Sequence, residues 1–251
     1  MASYKKKRID RRLVELGLAP TRARAADLVR RGCVTVAGEP ATKPGALVAE
    51  DAALAVAPRR QLRLPRRSQL EAALEAFGLD PQGRVALDVG ASTGGFTEVL
   101  LARGAAKVYA VDVGRDQLHA SLRADPRVVS LEATDARSLD TEAIPEPVDV
   151  IVADVSFISV TQALPAALKR AAPDAWLVVL VKPQFEAGRE AVGKGGIVRD
   201  EQDRARAVTR VRDFLANEGW TVLDAIQSPI EGGSGNVEFL IGARHGVPDG
   251  A

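Results

Sequence analysis

Cysteine is almost absent from this chain: Cys33 is the only one in 251 residues. An internal disulfide is therefore impossible, and a reducing, cytoplasmic setting is expected. Cys33 stands beside Val34, where it is expected to fill a small apolar site. Long apolar runs are lacking as well. No stretch approaches the roughly 18 uninterrupted apolar residues of a spanning helix, because the strongest candidates are broken by Asp154 or Lys182. The cluster Lys5-Lys6-Lys7-Arg8 would suit the start of a signal peptide, but no apolar segment follows it. Internal repeats are missing too. At 46% hydrophobic and 27% charged residues, the composition is that of a soluble globular protein rather than a disordered one. The length allows one large or two smaller domains, each with its own core. A monomer that holds no metal and does not enter a membrane is expected.

Net charge is only +1, but it is unevenly spread. Residues 1–70 hold 16 Lys or Arg against 6 Asp or Glu, and the remainder holds 18 against 27. A basic module joined to an acidic one points to a polyanionic partner for the first, nucleic acid above all.

The chain is organised around Asp88-Val89-Gly90-Ala91-Ser92-Thr93-Gly94-Gly95-Phe96-Thr97. The run Val85-Ala86-Leu87 before it has strand character, and Thr97 to Ala102 after it reads as a helix. Glycines at such a turn let a ligand approach the backbone, and the helix start offers N–H groups to an anion. The spacing is not that of the dinucleotide fingerprint, whose glycines are fixed by the pyrophosphate. With the Ser92 and Thr93 hydroxyls and an acid at the strand end, the turn suits a ligand carrying an amino acid portion. S-adenosyl-L-methionine is such a ligand: its carboxylate can face the helix start and its ammonium Asp88. Gly90, Ser92, Thr93, Gly94, Gly95, Phe96 and Thr97 are the other candidate cofactor residues. Asp112, at the end of the next strand, is placed to bind the ribose hydroxyls of an adenosine, and Asp135 to contact the adenine amino group.

Ahead of this stretch, Ile9, Leu13 and Leu16 lie at helical spacing and stop at Gly17. Thr21 can cap a second helix, to about Arg31, with Ala25, Leu28 and Val29 as its apolar stripe. Its polar face carries Arg22, Arg24, Arg30 and Arg31, whose guanidinium groups can pair bidentately with phosphates. Val34-Thr35-Val36 reads as a strand and Leu54-Ala55-Val56 closes the unit. Residues 58–70, rich in Arg and Pro, read as a linker, extended before Pro65. Domains are expected at 1–57 and 71–251.

Helical periodicity resumes from Glu71 to Phe77. Strands are expected near 84–89, 107–112, 128–132, 148–154, 176–182, 220–226 and 236–243, with helices between most of them. This βαβ rhythm implies a mostly parallel α/β sheet covered on both faces. The last two strands, joined by Ser228 to Gly235 with no room for a crossover helix, should pair antiparallel. That is the Rossmann-like, seven-stranded arrangement of class I methyltransferases. Asp154 and Lys182 should emerge together at the carboxyl edge of the sheet, where open α/β folds bind ligands. Glu238, expected within a strand Val237–Leu240, could join them. A charge ending an apolar strand is costly unless paired, and three converging on one edge point to catalysis.

Asp10-Arg11-Arg12-Leu13, Thr21–Ala25, Arg31–Gly38 and Lys43-Pro44-Gly45 together resemble the S4-type RNA-binding module, a small α+β domain that recognises structured RNA. Arg11, Arg12 and Lys43, and Arg66 and Arg67 beyond the module, join the candidate RNA contacts. Asp88–Thr97, Asp154–Ser159, Lys182–Asp200 and Ser228–Leu240 resemble the TlyA-like (haemolysin A) family of ribosomal RNA 2′-O-methyltransferases, related to the FtsJ-type enzymes. This resemblance implies methyl transfer from S-adenosyl-L-methionine to a ribose 2′-hydroxyl, on cytidine in ribosomal subunits, through a Lys-Asp-Lys-Glu tetrad. Asp154, Lys182 and Glu238 match its last three positions; Gln69 stands at the first, and Leu64-Pro65-Arg66-Arg67-Ser68 replaces the family's Tyr-Val-Ser-Arg-Gly approach. Lys182 is then the base or charge stabiliser, oriented by Asp154 and Glu238. A free lysine titrates near ~10.4, so a base role needs a neighbouring cation or burial. Gln69 cannot supply that charge, whereas Arg66 or Arg67 could, though not as a base. The loop 183–200 is expected to close over cofactor or RNA. Two alternatives differ in class: a non-catalytic RNA-binding protein that keeps the fold, favoured by Gln69 alone, and a membrane-lytic protein, which needs an inserting segment the sequence does not contain.

Overall fold

A computed structural model of the chain describes residues 6–246 apart from 20, 31, 32, 42, 57, 58, 189, 194, 233 and 234. For residues 23, 24, 27, 30 and 59–65 it describes the backbone alone. The chain divides into two units, one reaching Leu62 and the other holding the bulk of the chain from Arg63 onward. Among the described residues no helix is long and apolar enough to cross a membrane.

In the first unit β1 (Lys6–Arg8) leads directly into α1 (Ile9–Glu15), and α2 (Arg22–Arg30) follows. The apolar stripes face inward as their spacing requires: Ile9 and Leu13 from α1 meet Ala25, Leu28 and Val29 from α2, with Cys33 buried beside them. Gly17 adopts a φ of 69°, which ends the first helix. Then come β2 (Val34–Val36), β3 (Glu39–Pro40), β4 (Leu47–Ala49) and β5 (Leu54–Val56). The strand β2 is the middle of a three-stranded sheet between β3 and β5, and β1 pairs antiparallel with β4.

The stretch expected to be an extended linker is helical instead: α3 runs unbroken over Arg59–Phe77. Pro65 lies inside it, where its missing N–H costs one backbone bond. The C-terminal half buries Leu70, Ala73 and Leu74 in the core of the second unit, burial that local reading around Pro65 could not weigh. Arg66, Arg67 and Gln69 therefore stand on a helix with a defined phase.

The second unit continues with β6 (Val85–Val89), α4 (Gly95–Ala102), β7 (Lys107–Asp112), α5 (Ala120–Arg123), β8 (Val128–Glu132), β9 (Val148–Ala153), α6 (Val160–Ala163), α7 (Pro165–Leu168), β10 (Ala171–Val181), α8 (Pro183–Glu186), α9 (Glu201–Asn217), β11 (Trp220–Gln227) and β12 (Phe239–His245). These strands form one seven-stranded sheet in the order β11-β12-β10-β9-β6-β7-β8. The five strands from β6 to β10 are mutually parallel, and β12 is antiparallel to both its neighbours. This is the expected mixed sheet. Alternate residues serve opposite faces: Leu87, Ile151 and Leu177 join one core, Ala86, Val150 and Val178 the other. Burial on both faces is why these strands read as continuous apolar runs.

Two strand starts differ from the expectation. β10 begins at Ala171 rather than near 176, with an irregularity in its pairing between Ala171 and Trp176; Pro173, which has no N–H, lies there and obscures the strand signal. β12 begins at Phe239 rather than 236, leaving Glu238 just outside. Asn236 is drawn away from the ladder, since its side chain holds Val198 N–H and the Gly196 carbonyl and its own carbonyl accepts from Gly232.

Candidate active site

Strand register brings the site together. Val89 lies opposite Ala153, Ala153 opposite Val179, and Val181 opposite Phe239. The residues just beyond these ends, Gly90, Asp154 and Lys182, therefore share one edge. Because β12 runs the other way, Glu238, one residue before it, reaches the same edge. Asp154, Lys182 and Glu238 are all buried, at 4%, 7% and 5% exposure.

Asp154 and Lys182 are ion-paired, and Glu238 is held by an amide. Lys182 Nζ lies 2.5 Å from Asp154 Oδ1 and donates to Ser156 Oγ at 2.7 Å. Arg66 Nη1 lies 2.7 Å from the other oxygen, Asp154 Oδ2. Gln69, itself buried, donates through Nε2 to Glu238 Oε2 at 3.1 Å and Ser228 Oγ at 3.0 Å. Burial raises the Glu238 carboxyl above its ordinary range against the pull of Lys182.

The glycine turn lies beside this group. Asp88, near the end of β6, is fully buried, and its Oδ2 accepts from the Thr97 N–H at 2.9 Å and hydroxyl at 2.6 Å. Its Oδ1 is buried without a hydrogen-bond partner among the described residues. Desolvation pushes this carboxyl up to about 7 against the Thr97 hydroxyl. Folding thus makes Asp88 hold its proton more tightly, so stability falls as pH climbs from the ordinary carboxylate range through about 7.

Gly90, at φ 84°, approaches Asp154 so closely that a Cβ would sit 2.4 Å from that residue's carbonyl oxygen. Gly94, at φ 94°, caps α4, and Gly95 is the first residue of that helix. The helix starts two residues earlier than the sequence suggested because Gly94 can take the left-handed cap. Phe96 is a core residue, Thr97 is spent on Asp88, and Ser92 and Thr93 are buried along the turn.

The acids further along are held by their own surroundings. Asp112 accepts from Ser92 N–H at 2.9 Å and Gly114 N–H at 2.7 Å, fastening the turn to the end of β7. Asp135 is bound by Arg137, whose side-chain hydrogen bonds hold its carboxyl down to about 2, and it caps a short 3-10 turn over Ala136–Ser138. The neighbouring Thr134 N–H donates to the Asp112 carbonyl, tying this segment to the end of β7.

Of the candidate RNA contacts, Arg11 and Lys43 are exposed. Arg12 bonds Glu15 and the Glu50 carbonyl, and Arg22 pairs with the buried Asp10 at 3.3 Å. The Arg24 and Arg30 side chains, and Arg31, lie outside the described residues. Arg66 pairs with Asp154, and Arg67 with Glu98 at 3.1 Å.

Two residues escaped the sequence reading. Phe157 follows Ser156 at a φ of 69°, is 64% exposed, and has its ring tilted on Phe185 with centroids 5.4 Å apart. A lone aromatic in Asp154-Val155-Ser156-Phe157 was its only sequence signal. Glu186 is buried and caps α6, accepting from Val160 N–H at 2.7 Å and Ser159 Oγ at 2.6 Å. The loop after Lys182 is thereby anchored at its near end, and at its far end through Asn236.

Comparison with known proteins agrees with this geometry. A family model for FtsJ-like methyltransferases matches residues 68–245, and one for the S4 domain matches residues 7–54. The chain is 50% identical over 239 residues to the 16S/23S rRNA (cytidine-2'-O)-methyltransferase TlyA of Mycobacterium tuberculosis, covering 94% of this chain and 89% of that one. It is 38% identical over 234 residues to Hemolysin A of Brachyspira hyodysenteriae, covering 93% and 98%. The solved structure of a Streptococcus thermophilus protein described as a hemolysin superposes with a TM-score of 0.70 at 38% identity, over 97% of this chain and 90% of that one. A glycine turn and a buried charge group on one sheet edge, matched by relatives along nearly the whole length, lead to one conclusion: this chain belongs to the TlyA family of FtsJ-like methyltransferases that carry an S4 domain.

Proposed function

We propose that this chain transfers a methyl group from S-adenosyl-L-methionine to the 2′-hydroxyl of cytidine in ribosomal RNA, the S4-type unit binding the RNA. The observation that carries this reading is the buried Lys182–Asp154 pair beside the glycine turn. When bound, the cofactor supplies an electrophilic methyl group on a sulfonium. The residues present suit it: Asp88 Oδ1 is a buried acceptor with no hydrogen-bond partner among the described residues, and Gly90 and Gly94 let the turn pack tightly against Asp154 and Leu122, where a Cβ would collide. Asp88 would hold the ammonium and the start of α4 the carboxylate. Asp112 would take one ribose hydroxyl on Oδ2, which among the described residues carries only the Ser92 N–H, since Oδ1 already accepts from Gly114 and Gln117. Lys182 would act from its neutral amine, its ammonium proton having first passed to solvent: the amine takes the 2′-hydroxyl proton as the ribose oxygen bonds to the methyl carbon, Asp154 stabilises the ammonium so re-formed, and Glu238 is held by Gln69 to complete the surroundings.

The test is transfer of tritiated methyl to isolated ribosomal subunits from a strain deleted for this protein, followed by mapping of the 2′-O-methylated nucleotide. Incorporation at cytidine supports the reading. Binding of subunits without incorporation favours the non-catalytic alternative, which Gln69 at the first tetrad position supports.

Cofactor affinity should depend on pH because an ammonium needs Asp88 ionised. With this carboxyl at about 7, affinity is expected to rise from about pH 6 toward 8, changing at most about tenfold per unit below the pKa. Calorimetry in buffers of different ionisation heat should show about one proton released below pH 7. In Asp88→Asn, affinity should fall and that proton release vanish; unchanged release would assign it elsewhere.

Phe157, exposed and next in sequence to the Ser156 that Lys182 contacts, is suited to stacking on an unpaired base. Phe157→Ala is expected to weaken RNA binding by about 10-fold, in keeping with roughly 1–3 kcal/mol per stacked base. Cofactor affinity should stay unchanged. Filter binding and cofactor calorimetry on one preparation check both halves, and equal RNA affinity would exclude the stacking role.

A further inference from the structure

We propose that Arg66 is the site's second cation, a positioning residue that shares Asp154 with Lys182, while Gln69 takes over only the anchoring of Glu238. This rests on the methyl-transfer reading and adds a residue to it. The first argument is charge. Asp88 on β6, Asp154 after β9 and Glu238 before β12 bring three carboxyl groups to one buried edge, and Lys182 after β10 supplies one ammonium. Buried charge persists only when paired, and among the described residues Arg66 on α3 is the second cation in contact with this group, 20% exposed at its side chain.

The second argument is geometry. Lys182 takes Oδ1 of Asp154 and Arg66 takes Oδ2, so one carboxylate bridges two cations through opposite oxygens. A carboxylate shared in this way divides its attraction between the two cations, one on each oxygen. Arg66 cannot give up a proton itself, so it holds its charge through the reaction. Arg67 does not share the role, since it faces Glu98 and Glu71.

The third argument is helix phase. Arg66 and Gln69 are three residues apart on α3 and so share a face. One helix thus delivers a guanidinium to Asp154 and an amide to Glu238. Both amide hydrogens of Gln69 are used, on Glu238 and Ser228, which makes it an anchor and not a source of charge. Arg66 also pulls the carboxyls of Asp88 and Glu238 downward, against burial.

The experiment compares wild type with Arg66→Ala, Arg66→Lys, and Arg66→Ala combined with Gln69→Lys. Turnover on ribosomal subunits is measured with both substrates saturating, alongside carboxyl-carbon NMR titration of Asp88 and Glu238. Arg66→Ala leaves Asp154 paired with Lys182, so the fold should survive, as the melting temperature will show. Assayed above about pH 8, where Asp88 is ionised, the alanine variant is expected to lose about 10- to 100-fold in kcat with cofactor KM changed less than about threefold. Both carboxyl titrations should move to higher pH. Arg66→Lys should recover part of the rate, and the Gln69→Lys combination part of it again by returning a cation to α3. Full turnover in Arg66→Ala with unmoved titrations overturns the proposal, as does a rate loss that neither cation rescues. Wild-type protein that transfers no methyl overturns the functional reading instead; the titration shifts then decide by themselves whether Arg66 is the site's second cation.

Discussion

Lys182→Ala is expected to lower methyl transfer by at least about 100-fold, the lower end of what a positioned general acid or base contributes. Lys182 sits on a carboxyl-terminal strand edge, is almost fully buried, and touches both Asp154 and Ser156. Its loss leaves Asp154 paired with Arg66, so the usual cost of about 3–5 kcal/mol for orphaning a buried charge should be largely avoided. Cofactor binding, centred on Asp88 and the glycine turn, should change by less than about threefold. Rate measured at saturating cofactor, with affinity measured separately, checks the split. Methyl transfer to ribosomal RNA that survives at the full rate would remove Lys182 from the chemistry.

Gly90→Ala should have the largest effect on cofactor binding and a large one on stability. Gly90 holds a φ of 84°, and an added Cβ would meet the backbone oxygen of Asp154 at 2.4 Å, with no flexible side chain able to yield. Left-handed strain costs about 1–3 kcal/mol for a residue with a Cβ, and overpacking adds typically about 1–3 kcal/mol. The strand ends must therefore part, which moves Asp154 away from the turn. A loss of about 2–5 kcal/mol in unfolding free energy is expected, with cofactor binding lowered by more than about tenfold. Denaturant titration and calorimetry measure the two effects. An unchanged midpoint would mean the turn relaxes without cost.

Much of this was legible in residue order because the relevant forces are local. A strand buried on both faces reads as an apolar run, so Val85–Val89, Val148–Ala153 and the end of β10 stood out. The charge that ends each such run, Asp154 or Lys182, stood out by contrast. The grip of Arg137 on Asp135, two residues away, is local in the same sense. Glu186 and Phe157 were less visible: one acts through a distant helix start and the other through a backbone bend.

The sequence by itself determined the mixed sheet, the glycine turn, the two-part charge distribution and the pairing of an acid with a lysine at one edge. These follow from periodicity of two, from the missing Cβ of glycine and from the cost of a lone buried charge. Only the tertiary structure decided what the segment before Leu70 does. Read locally, Pro65 and the arginines make a linker; folded, the burial of Leu70, Ala73 and Leu74 extends the helix through Pro65. Helix phase then turns Arg66 inward to Asp154 and Arg67 outward to Glu98. Two adjacent residues of one chemical type are told apart only by which way the helix faces, and that direction is set by packing far from either.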